Sequence, residues 1–392
     1  MLIQTMGAGY MLTEDRRGLI LRELRLRGSL NVAEFAQRMG ISGMTVRRDL
    51  ALLEEQGRLQ RVHGGAVANP EPGPAGIDHR SPAGAAGGHR APLPAGRVRP
   101  ASTTQVPLAT IGMVMPSAAY YFPTVIRGAE AAARDLGVRL VLGVSNYSAT
   151  EEHRQIERLL ASGVDGLLVT TSAESLADNP ALELLAAAEV PIVIAERSID
   201  DVVDRARLES VRSDHVRGAE IAMNHLLDLG HQRIALCLRE SSPTASRVRE
   251  GYRIALGRVG LMPDPTMDYA ITDARSAPEV LRGQIEKILD GIMDAGLTAA
   301  IVHNDEDALM FADCCLARGI RIPEDFALVA YDDEIASLGA VPLTAVAPPK
   351  YDVGYQALQM CLNRVGSWRG TSAALQQVSL SPTLVVRSST VR

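Results

Sequence analysis

Short apolar runs alternate with amphipathic helical segments from Pro107 to the end of the chain. Continuous apolar strands separated by helices are typical of parallel sheets that are covered on both faces. The expected strands are 108–115, 138–144, 166–170, 191–195, 233–238, 268–271, 299–302 and 327–331. The expected helices are 122–136, 151–161 and 181–188, with four more that begin at His215, Ser246, Pro278 and Asp305. The pattern predicts an α/β fold of two parallel sheets in two lobes, with a ligand crevice beyond the carboxyl ends of the strands.

Polar and aromatic side chains follow six of these predicted strands. They are Tyr120, Tyr121 and Phe122, then Asn146, Thr170, Glu196 and Arg197, Asn304 and Asp305, and Asp332 and Asp333. Aromatic faces pack against the C–H faces of a sugar, and carboxylate, amide and guanidinium groups pair with its hydroxyls. Each residue alone is also compatible with a turn or a helix cap. As a set they predict a site for a small polyol effector.

The segment 41–65 predicts a helix followed by a basic wing. Ser42 is placed to cap the helix, and Val46, Leu50 and Leu53 form one apolar stripe on it. Gly57 is expected to end the helix in a left-handed conformation, and a short strand then leads to the pair Gly64 and Gly65.

The polar face of this helix carries Thr45, Arg47 and Arg48. Guanidinium groups bind guanine in the major groove of DNA, although two adjacent arginines are also compatible with a solvated face. The segment before this helix favours DNA binding over a solvated face. Asn31 and Glu34 form a capping box, Leu30 and Phe35 a hydrophobic staple, and 40–42 the turn of a helix-turn-helix.

A first helix is expected from a cap at Thr13 to a stop at Gly28. Ten arginines stand against seven acidic residues between Thr13 and Ala68, a net charge of +3 in a chain of net charge −6. The basic charge is concentrated where duplex DNA is expected to bind. Residues 69–106 include seven Pro, six Gly and seven Ala among 38 positions. Such a composition predicts a disordered linker between two domains, 12–68 and 107–392.

The N-terminal motifs resemble the DNA-binding domain of DeoR-type bacterial regulators. The resemblance is carried by Thr45-Val46-Arg47-Arg48-Asp49-Leu50 and by Arg61-Val62-His63-Gly64-Gly65-Ala66. It implies a winged helix-turn-helix in which Ser42, Thr45, Arg47 and Arg48 contact the groove, while Arg61 and His63 contact the DNA backbone.

The remainder resembles the LacI/GalR effector domain, which has the periplasmic-binding-protein fold. Among the motifs that carry this resemblance are Ile126-Arg127-Gly128-Ala129-Glu130, Asp228-Leu229-Gly230-His231, and Tyr331-Asp332-Asp333. The family's effector contacts would fall on Tyr121, Phe122, Arg197, Asn304 and Asp332.

Departures from the family pattern leave the ligand open. Ala119-Tyr120-Tyr121-Phe122 replaces Asn-Pro-Phe-Phe, and Val248 stands where the family has an arginine, flanked by Arg247 and Arg249. An aromatic residue expected after Ile271 is missing, with Ala274 near its place. Arg247 and Arg249 are therefore added to the candidate effector-binding residues.

Three classes of function compete. No Walker loop, GxGxxG, GxSxG or HExxH motif supports an enzyme, and a transport binding protein would require a secretion signal, which residues 1–11 do not resemble. Four cysteines without metal or redox spacing favour a reducing cytoplasm, and no cofactor, metal or membrane contact is expected. The sequence predicts a homodimeric repressor of carbohydrate-use genes. An activator, or a regulator that answers a non-sugar ligand such as a nucleoside, remains the alternative.

Overall fold

The computed structural model describes residues 29–39, 42–62, 64–68, 107–173, 175–202, 207–272, 277–365 and 374–391, together with positions 17, 20, 21 and 24. The chain divides into two compact units, Met1–Leu108 and Ala109–Arg392. The expected cap at Thr13, the stop at Gly28, the first two positions of the turn 40–42, and the linker 69–106 lie outside the described residues.

The N-terminal unit packs two helices against a three-stranded antiparallel sheet. The helices are α1 (Val32–Met39) and α2 (Gly43–Glu55), and the strands β1 (Ser29–Asn31), β2 (Leu59–Val62) and β3 (Gly65–Ala68) pair in the order β1-β3-β2. Ile20, Leu24, Val46, Leu50 and Leu53 are buried in one small core. The sheet includes a strand before α1 that the sequence did not predict.

Lobe 1 of the larger unit is a six-stranded sheet in the order β14-β8-β7-β6-β4-β5, with every neighbouring pair parallel. Its strands are β4 (Thr110–Met115), β5 (Arg139–Val144), β6 (Gly166–Val169), β7 (Ile192–Ala195), β8 (Leu208–Ser213) and β14 (Gln377–Leu380). Its helices are α3 (Phe122–Asp135), α4 (Ala149–Ala161), α5 (Leu182–Ala187) and α10 (Lys350–Val365). The alternation of strands and helices thus gives the parallel layer that the sequence predicts.

Lobe 2 repeats this plan in the order β10-β9-β11-β12-β13-β15, where only β15 is antiparallel to its neighbour. Its strands are β9 (Ile234–Arg239), β10 (Asp268–Ile271), β11 (Ala299–His303), β12 (Ala327–Tyr331), β13 (Thr344–Ala347) and β15 (Thr383–Val385). Its helices are α6 (His215–Asp228), α7 (Ala245–Arg258), α8 (Pro278–Asp294) and α9 (Asp305–Ala317). The chain crosses between the lobes after β8, after β13 and after β14.

Glycines allow the closest helix contact of lobe 1, between α3 and α10. A Cβ added at Gly128 would lie 1.9 Å from the carbonyl oxygen of Tyr351, and one added at Gly354 would lie 1.9 Å from that of Val125. The two backbones therefore touch directly, and this contact fixes the position of α3, whose N-terminus carries the aromatic residues of the crevice.

Candidate functional site

The recognition helix α2 is built as the sequence predicts. The Ser42 hydroxyl accepts a hydrogen bond from the backbone N–H of Thr45 at 3.1 Å, and Gly57 ends the helix with φ +69°. Arg47 and Arg48 are exposed, and Met44 on the same turn is 66% exposed. An apolar side chain beside two guanidinium groups is a combination that reads thymine methyl groups and guanine edges in a major groove.

The two glycines of the wing have different tasks. Gly64 has φ +81°, a conformation that other residues rarely adopt, whereas a Cβ on Gly65 would meet the carbonyl oxygen of Leu30 at 1.8 Å. Gly64 therefore makes the turn, and Gly65 lets β3 pair closely with β1.

Arg61, which is predicted to contact the DNA backbone, is an exposed side chain paired with Glu54 of α2. Its Nε donates to Glu54 Oε2 at 2.6 Å, and its backbone N–H donates to Glu54 Oε1 at 3.0 Å. These hydrogen bonds hold the pKa of the Glu54 carboxyl below its usual range. The pair fastens the wing to the end of the recognition helix. His63 lies outside the described residues.

A cavity of about 510 Å³ lies between the carboxyl ends of the strands of both lobes. Six of the predicted effector-binding residues line it: Tyr121, Phe122, Glu196, Arg197, Asn304 and Asp332. The first four come from lobe 1 and the last two from lobe 2. Both lobes thus contribute polar groups to one shared cavity.

Three predicted residues point elsewhere. Asn146 is exposed and does not line the cavity, whereas the next residue, Tyr147, does. Thr170 is fully buried, with its hydroxyl 3.5 Å from the sulfur of Met115. Arg249 binds Asp268 through Nε at 2.5 Å and Nη2 at 3.2 Å. Asn146 and Thr170 do follow strands, as predicted, whereas Arg249 lies within α7. The directions of the Thr170 and Arg249 side chains are set by contacts with Met115 and Asp268, which the sequence does not show.

Arg247 lies at the rim, where it lines a smaller pocket that adjoins the cavity. Its Nη2 donates to Asp200 at 2.8 Å and to the hydroxyl of Ser198 at 3.2 Å, so a lobe 2 side chain reaches lobe 1. Asp200 also pairs with Arg212 of β8 at 3.4 Å. Because these groups are partly exposed, the pair is screened by salt.

The backbone is strained where the crevice is built. Among the residues that the structure describes, six other than glycine have positive φ, and all of them follow strands of the two sheets: Tyr120, Asn146, Tyr147, Glu196, Asp332 and Asp333. Strain of this kind persists where surrounding structure enforces it and is concentrated at functional sites. Four of the six line the cavity.

Glu196 organises the lobe 1 wall. Its Oε1 accepts hydrogen bonds from the hydroxyls of Tyr121 at 2.8 Å and Ser213 at 2.9 Å, and its Oε2 accepts from the backbone N–H of Ser213 at 3.0 Å. This carboxylate is already satisfied, so its function is to hold the Tyr121 ring in place. Burial lowers the pKa of the adjacent His215 to about 3, and this side chain is therefore neutral.

Arg197 is a buried donor that faces the cavity. Its Nε donates to the Thr171 carbonyl at 3.0 Å and its Nη1 to the Glu196 carbonyl at 2.9 Å. Among the described residues, Nη2 has no hydrogen-bond partner. A guanidinium held by two backbone carbonyls keeps a fixed direction and offers its remaining N–H groups to a ligand.

Two aspartates of lobe 2 have different roles, because Asp305 fixes the loop after β12 and Asp332 faces the cavity. The Asp305 carboxylate accepts hydrogen bonds from the backbone N–H groups of residues 333–336, at 2.5 to 3.3 Å, and so fixes the loop after β12. That loop directs Asp332 into the cavity. Burial raises the pKa of Asp332 to about 6, while Lys350 opposes the rise.

Several lining residues were not among the predicted site residues. They are Ser117, Ala119, Tyr120, Tyr147, Ser172, His215, Arg239, Ser241, Ser242, Pro243, Thr244, His303 and Glu306. Arg239 and His303 could have been found, because they directly follow the predicted strands 233–238 and 299–302. Tyr120 belongs to the aromatic run after the first predicted strand but was not chosen as an effector contact. The serines at 241 and 242 and Thr244 lie in a loop without a pattern of its own.

No three His, Cys, Asp or Glu side chains among the described residues are grouped so that they could hold a metal ion. The four cysteines are all buried thiols, as the core positions predict. Within the described ranges, no helix has the length and apolar character that a membrane span requires.

Two family models match the chain. The DeoR-like helix-turn-helix domain matches residues 16–71, and the periplasmic binding protein-like domain matches residues 223–390. The first match covers the recognition helix and wing, and the second covers most of lobe 2 with part of lobe 1.

Curated relatives are transcriptional regulators. The chain is 30% identical over 272 residues to the HTH-type transcriptional regulator DegA of Bacillus subtilis. The aligned region covers 69% of this chain and 77% of that protein. It is 26% identical over 367 residues to the arabinose metabolism transcriptional repressor of Geobacillus stearothermophilus. Here the aligned region covers 91% of this chain and 90% of that repressor. Among solved structures, the transcriptional regulator CelR–cellobiose complex matches with a TM-score of 0.61 and 26% identity, over 71% of this chain and 84% of that chain.

Proposed function

Because the chain belongs to the LacI/GalR-type family of transcriptional regulators, we propose that it is a repressor whose operator affinity is controlled by a small sugar bound between the two lobes. Its DeoR-like domain supplies the DNA contact. The observation that carries the proposal is the placement of Arg197 on lobe 1 and Asp332 on lobe 2, facing one cavity.

A ligand held by both residues binds the closed arrangement of the lobes more tightly than the open one. Only such a difference in affinity can shift the equilibrium between the two arrangements. A coupling of about 1–3 kcal/mol changes operator affinity roughly 5- to 150-fold. The two walls of the cavity therefore provide the physical basis for regulation.

The cavity suits a sugar because it combines fixed polar groups with aromatic faces. Tyr121 and Phe122 pack edge to face with ring centroids 5.4 Å apart, and they offer apolar surface for the C–H face of a ring. Arg197 donates hydrogen bonds, the ionised Asp332 accepts them, and Asn304 offers an amide. Two relatives support the same class, since one is a repressor of arabinose metabolism and the other is a regulator in complex with cellobiose.

On the DNA side, we propose that Ser42, Thr45, Arg47 and Arg48 contact the major groove. Ser42 and Thr45 share a hydroxyl–hydroxyl hydrogen bond at 2.8 Å, which places both at the start of the exposed helix. One such domain has few base contacts, so we propose a homodimer that binds two half-sites. No catalytic role is proposed for any residue.

The experiment is a binding titration with DNA that the full-length protein has itself selected from a random duplex pool. Pentoses, hexoses, disaccharides and nucleosides are added one at a time, and operator affinity is measured by fluorescence anisotropy. A sugar that weakens binding at least fivefold supports the proposal. A ligand that strengthens binding indicates an activator-type response, and a response to nucleosides alone indicates the non-sugar alternative.

A further inference from the structure

One side chain bridges the two lobes inside the cavity without a ligand. Tyr120 precedes α3 of lobe 1, and its hydroxyl donates a hydrogen bond to Asp332 Oδ2 of lobe 2 at 3.1 Å. The same hydroxyl accepts a hydrogen bond from the backbone N–H of Asp305 at 3.3 Å. Both hydrogen bonds of this group therefore cross the crevice.

We propose that Tyr120 is a positioning residue for the effector response, which acts through Asp332 to hold the ligand-free protein partly closed. This inference rests on the proposed function, because it concerns the carboxylate that is assigned to the effector. The Tyr120 hydroxyl keeps its contact with Asp332 Oδ2 when the effector is bound, and it therefore reduces both the cost of closure on ligand binding and the size of the response.

Other contacts also join the lobes. The buried Lys350 of α10 pairs with Glu334 of lobe 2 at 2.5 Å and donates to the Asp332 carbonyl, but it lies beside the chain crossing after β13 and does not line the cavity. Arg247 and Asp200 also join the lobes, but their side chains are 32% and 47% exposed, and exposed ion pairs contribute little. Tyr120 is largely withdrawn from water, and burial raises the pKa of its hydroxyl, which stays protonated and able to donate. A hydrogen bond to a charged acceptor changes an equilibrium by a factor of roughly 10 or more.

The backbone also favours a specific task for Tyr120. Its φ is +56°, a conformation that is costly for an aromatic residue and that the surrounding structure must enforce. The Tyr121 hydroxyl, by contrast, binds Glu196 and stays within lobe 1. Of two adjacent tyrosines, one therefore stabilises a wall of the site and the other joins the walls.

Opening of the crevice separates Tyr120 from Asp332, so the contact exists only in the closed arrangement. Tyr120→Phe should lower the closed-to-open ratio of the ligand-free protein on the order of 10-fold. The effector must then supply the lost closure energy, and its half-saturation concentration rises. The maximal change in operator affinity rises too, because the ligand-free protein starts further from the closed state.

The matched control is Tyr252→Phe. The Tyr252 hydroxyl is buried and donates to the Ile234 carbonyl at 2.8 Å, but both residues belong to lobe 2 and neither lines the cavity. Loss of this hydroxyl should reduce thermal stability and leave the closed-to-open ratio unchanged. If the loss of a buried tyrosine hydroxyl acted only through general packing, Tyr120→Phe and Tyr252→Phe would change the closed-to-open ratio to the same extent.

The test measures the separation of the lobes directly in the ligand-free, full-length protein. Spin labels are attached through Arg154→Cys on lobe 1 and Met262→Cys on lobe 2, two exposed positions, and electron–electron double resonance gives the distance distribution. Tyr120→Phe and Asp332→Ala should both shift the distribution to longer distances, and the double variant should shift it less than the sum of the two single effects. Tyr252→Phe should match the wild type.

A Tyr120→Phe distribution that superimposes on the wild type overturns the inference, as does a double variant whose effects are fully additive. Because no sugar is present, these outcomes are independent of the effector class. If the distances shift but no sugar alters operator binding, the bridge stands and the proposed function fails.

Discussion

Arg239 and Asp307 form a buried ion pair beside the cavity of lobe 2. Arg239 Nε donates to Asp307 Oδ2 at 3.0 Å, Nη2 donates to Oδ1, and the two side chains are 5% and 0% exposed. Burial raises the pKa of Asp307, and the guanidinium opposes that rise. Removal of one partner leaves a buried charge without its counter-charge, which is far more costly than the loss of an exposed pair.

Arg239→Met should therefore lower the free energy of unfolding by about 3–5 kcal/mol. Chemical denaturation followed by circular dichroism measures this. The matched control is Arg249→Met, since Arg249 also binds an aspartate of lobe 2 with two nitrogens, but its pair with Asp268 is 31% and 20% exposed. That change should cost about 1 kcal/mol or less. Equal effects would show that the Arg239 pair is as well solvated as the Arg249 pair.

Arg47→Ala and Arg48→Ala should weaken operator binding. A guanidinium that reads a guanine contributes about 1–3 kcal/mol at that base, whereas one that contacts phosphate changes the slope of affinity against salt by about 1. Anisotropy titrations at several salt concentrations separate the two roles. Arg58→Ala, at the far end of the helix, removes the same charge and should have a smaller effect. Full affinity in the double Arg47, Arg48 variant would refute the assigned DNA face.

Effector affinity should depend on pH through Asp332. Its pKa of about 6 means that the free carboxyl is protonated below pH 6, whereas sugar hydroxyls bind the ionised form. Affinity should be constant above pH 7 and fall by up to about tenfold per unit below pH 6. His215 and His303, with pKa values of about 3 and 4, remain neutral throughout this window.

Burial also raises the pKa of Asp305 to about 7, although this residue does not line the cavity. Calorimetric titrations of Asp332→Asn separate the two carboxyls. A flat profile in that variant assigns the pH dependence to Asp332, and a profile unchanged from wild type assigns it to Asp305 or another group.

Gly128→Ala should destabilise lobe 1, because its Cβ would overlap the backbone of α10. Overpacking of this kind costs about 1–3 kcal/mol or more. Gly257 is also helical, but nothing lies within 4 Å of a Cβ there, so Gly257→Ala should stabilise by about 0.5–1 kcal/mol. Thermal unfolding should thus move in opposite directions for the two variants. Similar shifts would contradict the close approach of α3 and α10.

The fold was predicted where local pattern alone determines the element. The predicted strands and the helices of both lobes are present with ends within a few residues, and Asp268–Ile271 is a strand. Strand β8 was missed because Leu208–Ser213 contains Glu209 and reads as polar. Buried Glu209 is paired with Arg364 at 3.0 Å and accepts a hydrogen bond from the backbone N–H of Gln376 at 2.9 Å, and both partners are more than 150 positions away. Strands β13, β14 and β15 and the helix α10 were not predicted either.

The sequence predicted where in the fold the candidate site lies better than it predicted which side chains face the cavity. The strand ends gave the correct edge of each sheet, and six residues named there line the cavity. The direction of a side chain depends on its tertiary partners. Arg249 binds Asp268, and the Thr170 hydroxyl contacts the sulfur of Met115, so neither side chain lines the cavity. Tyr120 was named among the strand-end residues but not chosen as an effector contact, because its partner Asp332 lies across the crevice. Arg239 was not named, and its partner Asp307 lies on α9.

Operator affinity measured as a function of sugar concentration, in wild type and Asp332→Ala, shows whether Asp332 couples the effector site to DNA binding. Asp268→Ala is the control, because that carboxylate also pairs with an arginine of lobe 2 but lies away from the cavity. The structure predicts that a sugar weakens operator binding by the wild type and by Asp268→Ala at least fivefold, and that Asp332→Ala binds the operator but no longer responds. A full response in Asp332→Ala, or a sugar that binds the wild type without any change in operator affinity, would contradict the account.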